Sequence, residues 1–332
     1  MENLLVNKVA AVKEVRQAAE YQKKKQACIL TGLAGSSKPV FFAAADKLLG
    51  GKGSMAFITA SREEIRTYRR ELNYLYPDLP MQELYPVSLP RVQADTQSLE
   101  LQAGRAAALR FLSGEERGIV FITAEALQQK QLRPSGMSGK ALQLAVGEEH
   151  EQRNIAAALL DLGYERTEQV DALGQFCLRG DILDVYPINS SAAVRIEWFD
   201  NELDAMRSFD VDTQRSLQTL TSIKIAPLKV DENFSYDADI FEYCAADTMV
   251  VVDEPVHVFS MLEKLDKENK EHASELFGKQ ELIEQLAANG AVLVSALGHS
   301  YLQQLPSLNI PVRAVAPVSY THLRAHETSA HL

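Results

Sequence analysis

The middle of the chain contains the stretch Phe176-Cys177-Leu178-Arg179-Gly180-Asp181-Ile182-Leu183-Asp184-Val185-Tyr186-Pro187. Apolar and polar residues alternate before Gly180 and an apolar-rich run follows it, a pattern that predicts two short β-strands. Glycine takes a positive φ at little cost, so Gly180 is suited to a bulge or tight turn between the strands. Pro187 has no backbone N–H and should end the second strand. The stretch therefore predicts an antiparallel pair.

A second strand pair is expected directly after the first. The two faces of its leading strand carry Val194, Ile196 and Trp198 on one side and Arg195, Glu197 and Phe199 on the other. Asp200-Asn201 fits a two-residue hairpin turn into a strand over Glu202–Phe209. The four strands together predict a small, mostly antiparallel sheet that presents arginines at its edges.

The composition is typical of a globular protein with two or three domains. Of 332 residues, 46% are hydrophobic and 24% are charged. The net charge of −11 argues against a broad surface for duplex nucleic acid, because phosphate neutralisation needs clustered Lys and Arg. The three cysteines lie far apart without metal-ligand spacing, so neither a disulfide framework nor a metal site is predicted.

The sequence also predicts a cytoplasmic protein without a membrane partner. No apolar run approaches the ~20 residues that a membrane span requires. Met1–Lys25 predicts a charged amphipathic helix rather than a signal peptide, since it has no apolar central region.

Strands alternate with helices in the two outer parts of the chain, about 1–137 and 227–317. The strands expected there are Gln26–Thr31, Met55–Ala60, Gly118–Thr123, Thr248–Val252, Ala291–Ala296 and Val312–Val315, and the main helices are Ser36–Leu49, Arg62–Leu75, Asp95–Leu112 and Pro255–Leu265. This alternation is typical of a parallel sheet covered by helices. We therefore expect an α/β domain with a parallel sheet, interrupted by a smaller, mostly antiparallel α+β domain over about 138–226.

A glycine-containing loop follows the first expected strand, where a phosphate-binding loop would lie. Gly32 and Gly35 are in place, but Ser37 stands where the glycine before the lysine is needed. After Lys38, Pro39 replaces the hydroxyl residue that would hold Mg²⁺, and it has no backbone N–H to donate. We expect a relic loop that caps a helix rather than a working nucleotide site.

The strand over Thr248–Val252 is followed by Asp253 and Glu254, which look like a Walker B segment. An aspartate there could hold Mg²⁺ through water and a glutamate could activate a nucleophile. Because the loop at Gly32–Pro39 is degenerate, a purely structural role for both carboxylates is the favoured alternative.

The cations of the middle region are all arginines. No lysine occurs between Lys140 and Lys224, and fifteen acids accompany six arginines: Arg153, Arg166, Arg179, Arg195, Arg207 and Arg215. Guanidinium groups suit paired carboxylates at protein interfaces, so this balance favours a protein partner over nucleic acid. Alternatively, Arg195 forms only a cross-strand pair, and Arg207 and Arg215 are solvated. Phe176 could be an interface anchor or simply core.

Three ordered blocks carry a family resemblance. They are the stretch from Phe176 to Pro187, Val194–Asp200, and Phe209–Ser216. Together they resemble the UvrB-homologous part of bacterial transcription-repair coupling factors, over residues 1 to about 315. The resemblance implies a helicase-like domain without motor chemistry, and a UvrA-docking domain in which Arg166 and Arg179 contact UvrA. Phe176 and Asp181 are further candidate contact residues beside them.

Further expectations follow from this resemblance. The chain itself should need no cofactor, whereas ATP and Mg²⁺ would serve a motor elsewhere in the parent protein. RNA polymerase and double-stranded DNA would likewise bind regions outside this chain. The alternatives are a UvrB-like ATP-dependent repair helicase subunit, which would need an intact phosphate loop and a strand-inserting hairpin, and a regulator that binds nucleotide without hydrolysis.

The last residues, 318–332, differ in composition from the rest of the chain. His322, His326 and His331 suggest a metal cluster, but the segment resembles translated sequencing-adapter read-through. We therefore expect a non-native tail without a metal, and a natural protein that continues beyond about Pro317.

Overall fold

A computed structural model describes residues 4–89, 99–134, 141–228, 236–296 and 305–310. In these residues the chain forms a seven-stranded parallel sheet with helices and a separate six-stranded, mostly antiparallel sheet. This confirms the predicted fold class, a helicase-like α/β domain interrupted by a smaller one. The domain boundaries near 137 and 226 remain predictions, and the tail over 318–332 lies outside the described residues.

The elements are as follows. In chain order the strands are β1 Cys28–Thr31, β2 Met55–Thr59, β3 Met81–Leu84, β4 Ile119–Thr123, β5 Gln131–Leu132, β6 Leu142–Ala145, β7 Glu165–Arg166, β8 Gln175–Arg179, β9 Ile182–Val185, β10 Ala193–Phe199, β11 Glu202–Phe209, β12 Ser216–Leu220, β13 Ser222–Ile225, β14 Tyr236–Ala238, β15 Met249–Asp253, β16 Val292–Ser295 and β17 Ser307–Asn309. The α-helices are α1 Leu4–Ala10, α2 Lys13–Lys23, α3 Ser37–Leu48, α4 Arg62–Leu75, α5 Leu99–Ser113, α6 Ala124–Gln128, α7 Gln152–Asp161, α8 Pro255–Glu268 and α9 Lys279–Ala288.

The parallel sheet has the order β17-β1-β16-β15-β2-β4-β3. Strands β15 and β16, from late in the chain, lie between β1 and β2 and pair with them in parallel. Most of these strands are buried along their whole length, as expected for a sheet with helices on both faces. The early and late parts of the chain therefore complete one sheet and share its two cores.

Helix α4 shows how local sequence sets the boundaries in this domain. The Ser61 backbone N–H donates to the Glu64 carboxylate at 3.0 Å, which satisfies one of the free N–H groups at the helix start. Ile65, Tyr68 and Leu72 recur at helical spacing and are buried against the sheet. The observed bounds, Arg62–Leu75, are those predicted.

Several expectations about the outer parts need correction. The predicted helix over Met1–Lys25 is two helices, because the chain leaves the helical path at Ala11 and Val12 between α1 and α2. Strand β3 was not predicted, since Met81–Leu84 is short and has a mixed pattern at the sheet edge. The last strand within the described ranges lies at Ser307–Asn309, whereas the predicted strand Val312–Val315 falls outside them.

The second sheet has the order β12-β11-β10-β9-β8-β7, antiparallel except for the β7–β8 pair. Gly180 has φ +57° in the β8–β9 turn, and Asp200 has φ +59° in the β10–β11 turn, so both predicted turns are present. Helix α7 covers one face of this sheet, packing Ile155 and Leu159 into a core with Phe176. The opposite face carries the charged groups described next.

None of the helices in the described ranges combines the length and the apolar character needed to cross a bilayer.

Candidate protein interface

A cluster of three charged side chains lies on the sheet face opposite α7. Asp184 of β9 is 2% exposed and accepts from Arg195 Nε at 2.6 Å and from Arg195 Nη2 at 2.8 Å. Arg179 Nη2 donates to the same carboxylate at 3.0 Å. One buried acid thus binds two guanidinium groups, which leaves the cluster with a net charge of +1.

The two arginines differ in accessibility. The Arg195 side chain is 18% exposed, and its guanidinium lies 4.8 Å from the centre of the Phe209 ring and 3.2 Å from Gln214 Oε1. The side chain of Arg179 is 52% exposed beside the Gly180 turn. Hydrogen bonds to Asp184 raise the pKa of Arg195, so its charge is fixed. Arg179 is therefore the member of the cluster that a partner can reach.

A second ion pair continues across the same face. Arg207 of β11 donates to the Glu197 carboxylate of β10, and both side chains are partly buried. The expectation that Arg207 is solvated is therefore wrong, because cross-strand neighbours on one face bring the two charges together. Arg215 is exposed, as that alternative expected. Arg195 does form a cross-strand pair, but with Asp184.

The other predicted contact residues do not all share this face. Arg166 is exposed on the edge strand β7, but it pairs in register with Phe176 and so points to the side that α7 covers. Phe176 is fully buried, so its aromatic ring serves the core and cannot anchor a partner. Asp181 is exposed in the β8–β9 turn, 3.4 Å from Gln152 Nε2.

Two residues that the sequence analysis did not single out lie on this face. Phe199 is 76% exposed at the end of β10, two positions beyond Glu197 and on the same strand face. Glu197 pairs in register with Ile182 of β9, and Ile182 pairs with Arg179 of β8. The second is Asp184, whose carboxylate binds both Arg179 and Arg195. The strand alternation already put Phe199 on the face of Arg195, but burial was needed to show that its ring is uncovered. For Asp184 the only signal was an acid inside an otherwise apolar strand.

The degenerate loop lies at the start of α3, on the parallel sheet. The Lys38 side chain is buried, and its Nζ lies 2.5 Å from Asp253 Oδ1 and 2.8 Å from Glu254 Oε1. The ammonium therefore contacts the two Walker B-like carboxylates directly. In a working site these groups would face a phosphate and a metal, but here they bind one another, which leaves the cluster with a net charge of −1.

The surrounding contacts hold this arrangement in place. Ser37 Oγ donates to the Ala34 carbonyl at 2.7 Å, which folds the loop onto itself before Pro39 enters the helix. Gly32 has φ +85°, and a Cβ there would lie 2.7 Å from the Ile310 carbonyl oxygen. Gly35 also has a positive φ, +51°. Both glycines are thus required by backbone geometry alone.

Glu254 is the most constrained acid of this site. It has a left-handed φ of +41°, unusual for a residue with a side chain, at the N-terminus of α8. Its carboxylate also accepts from the Ala296 N–H at 3.0 Å and from Ser295 Oγ at 3.3 Å. Burial alone would raise its pKa, but the hydrogen bond and charge of Lys38, with those two donors, lower it. The carboxylate is therefore held ionised.

The antiparallel domain resembles a known protein family. Residues 142–230 match the family model of the UvrB interaction domain, a span that contains the whole Arg179, Asp184 and Arg195 cluster. The chain is 36% identical over 203 residues to the transcription-repair-coupling factor of Bacillus subtilis (strain 168), covering 60% of this chain and 17% of that protein.

The resemblance to transcription-repair coupling factors is confirmed. The corresponding protein of Staphylococcus haemolyticus is 32% identical over 202 residues, covering 60% of this chain and 17% of the relative. That of Escherichia coli (strain K12) is 28% identical over 165 residues, covering 50% and 14%. The matches thus span about a sixth of the length of these coupling factors.

We predict that Lys38→Ala lowers the free energy of unfolding by ~3–5 kcal/mol, because it leaves the buried Asp253 and the partly buried Glu254 without their cation. Urea denaturation followed by circular dichroism measures this. Lys52→Ala removes the same charge from an exposed position and should change stability little. Equal stability of both variants would show that the ion cluster is not stabilising.

The lowered pKa of Glu254 makes the stability of the folded protein depend on pH. A carboxyl whose pKa is lowered by folding stabilises the protein at pH values above its pKa in the unfolded chain, near 4.5. This stabilisation is lost as the pH falls through the pKa of the folded state. We therefore expect the stability difference between the wild type and Glu254→Gln to be largest near neutral pH and to shrink below pH 4.5. Urea titrations at several pH values test this, and a constant difference would contradict it.

Proposed function

We propose that this chain is the module through which a transcription-repair coupling factor recruits UvrA. The observation that carries the proposal is the Arg179 guanidinium, exposed at the surface and bound to the buried Asp184. It is supported by the match to the UvrB interaction domain and by the coupling-factor relatives. The docking surface of this proposal consists of four residues: Arg179, Ile182 and Phe199 on one sheet face, and Asp181 in the adjoining β8–β9 turn.

The local charge of the Arg179, Asp184 and Arg195 cluster favours a carboxylate on a protein partner over DNA. The antiparallel domain has fifteen acids and six arginines between Lys140 and Lys224, so a polyanion such as DNA would be repelled by most of it. The cluster around Asp184, in contrast, has one positive charge in excess. A carboxylate on the partner that pairs with Arg179 would neutralise this excess in a desolvated contact.

The apolar part of the docking surface fits a protein interface. Aromatic residues and arginines are enriched at interface centres, where exclusion of water strengthens their contacts. Phe199 provides an exposed ring on the face of Arg179, and Ile182 lies between their strands. Arg166 points to the other face, so it would contact UvrA only if the partner reaches around the β7 edge.

We infer that the chain itself is non-catalytic. Lys38, Asp253 and Glu254 are engaged with one another, and a bound triphosphate would have to displace two carboxylates from the lysine. In the parent protein, regions outside this chain would bind RNA polymerase and double-stranded DNA and use ATP and Mg²⁺. Such a protein would act in the cytoplasm, in transcription-coupled nucleotide excision repair.

The main experiment measures binding to purified UvrA. Arg179→Ala should weaken the complex by roughly 30-fold or more, because it removes a charge-assisted hydrogen bond and leaves the partner carboxylate unpaired. The Arg153→Ala variant is the matched control, since Arg153 is exposed on α7 at the other face. Equal losses would indicate general electrostatics, and failure of the wild type to bind UvrA would refute the proposal.

The aromatic contact is tested separately. Phe199→Ala should weaken UvrA binding by ~10-fold or more without lowering the melting temperature, because an exposed ring contributes to binding rather than to folding. Leu160→Ala removes another exposed apolar side chain, 53% accessible on α7, and should leave affinity unchanged. Undiminished binding by Phe199→Ala would place the centre of the interface elsewhere.

The alternative of a nucleotide-dependent protein, UvrB-like or regulatory, keeps one point in its favour. The segment Gly32–Pro39 runs from the end of β1 into the first turn of α3, a position where nucleotides bind in parallel-sheet proteins. We predict no binding heat for Mg-ATP up to about 1 mM in titration calorimetry. Micromolar affinity that Lys38→Ala abolishes would favour the alternative.

A further inference from the structure

Asp184 differs from every other acid on its sheet face in how it is bound. It is almost fully buried, yet its partners are side chains of the two flanking strands, Arg179 of β8 and Arg195 of β10. Its Oδ2 accepts from both guanidinium groups, at 3.0 and 2.8 Å. A carboxylate with this many charge-assisted hydrogen bonds is held in one orientation.

We propose that Asp184 is a positioning residue for partner docking, which holds the exposed guanidinium of Arg179 in its binding orientation. The inference rests on the proposed function, because it assigns Arg179 to the UvrA contact. Asp184 itself does not touch the partner. It fixes one N–H of Arg179 beneath the surface, so the remaining donors of that planar group face outward.

Arg195 supplies the rigid support that this role requires. Its guanidinium binds Asp184 through two nitrogens, lies against the Phe209 ring and donates to Gln214 Oε1. Gln214 is in turn fixed by its bond to the Val211 carbonyl at 2.8 Å. The carboxylate is therefore immobilised from one side by Arg195 and offers Oδ2 to Arg179 on the other.

The benefit to binding is a smaller loss of conformational freedom. A free arginine side chain on a surface has several rotatable bonds, and ordering it on association costs conformational entropy. A guanidinium that is already anchored has lost part of this freedom in the free protein. The excess positive charge of the cluster is also presented at one point, where a partner carboxylate can bind it.

The first test asks whether orientation or charge matters. Arg179→Lys keeps the charge but lacks the planar group that can bind Asp184 and a partner at once. We expect it to lose at least half as much binding free energy as Arg179→Ala. Because Arg179 is half exposed, both variants should fold. Binding of Arg179→Lys at wild-type affinity would overturn the proposal, since charge alone would then suffice.

A double-mutant cycle tests the coupling. Asp184→Asn should weaken UvrA binding ~10-fold when Arg179 is present, and should have no further effect in the Arg179→Ala background. Asp204→Asn, at an exposed aspartate of β11 that does not hydrogen-bond Arg179, should have no effect in either background. Equal losses from Asp184→Asn in both backgrounds would mean that Asp184 acts only through general structure, and no loss in the wild-type background would also refute the proposal.

An observation on the free chain separates this inference from the docking proposal. The Arg179 Nε–H resonance should show restricted motion by ¹⁵N relaxation in the wild type, unlike the exposed Arg153. If the side chain is restricted but the chain does not bind UvrA, only the partner assignment fails. If Arg179 is as mobile as Arg153, the positioning role is refuted whatever UvrA does.

Discussion

The parallel sheet imposes the constraint on which the rest of this structure depends. Strands β15 and β16 lie between β1 and β2, although 189 residues separate β2 from β15 and 260 residues separate β1 from β16 in the chain. Neither early nor late strands can complete their hydrogen bonds or bury both faces alone. The domain can therefore close only after the chain has returned from the antiparallel domain, which makes that domain an insertion.

The ion cluster around Lys38 lies at the junction of these two parts. Lys38 belongs to the early part and Asp253 and Glu254 to the late part, and their charges meet at the carboxyl end of the sheet. In a nucleotide-binding protein with this topology, ligand phosphates would occupy such a position. Here an ion cluster of one lysine and two carboxylates joins the two parts of the chain.

On the antiparallel domain, strand alternation separates core from surface. One face buries Phe176 under α7, and the other carries the network of Arg179, Asp184 and Arg195. The same alternation places Arg166 away from Arg179, which divides two arginines that the family resemblance joins. Within that network the guanidinium groups of Arg179 and Arg195 are each fixed by Asp184, a neighbour on an adjacent strand.

The sequence by itself determined the type of the main strands and helices, though not the edge strand β3 or the break between α1 and α2. It also determined the strand–glycine–strand unit at Gly180, the hairpin at Asp200 and the degeneracy of the loop before Pro39. These features follow from the spacing of apolar residues, from the residues that favour turns and from residue type, all of which act over a few neighbouring positions. Only the tertiary structure decided that Phe176 is core, that Phe199 is exposed, and that Asp184 and Lys38 are the centres of their ion clusters. Burial and ion pairing depend on which strands become neighbours, and register across a sheet joins residues that local patterns treat as independent.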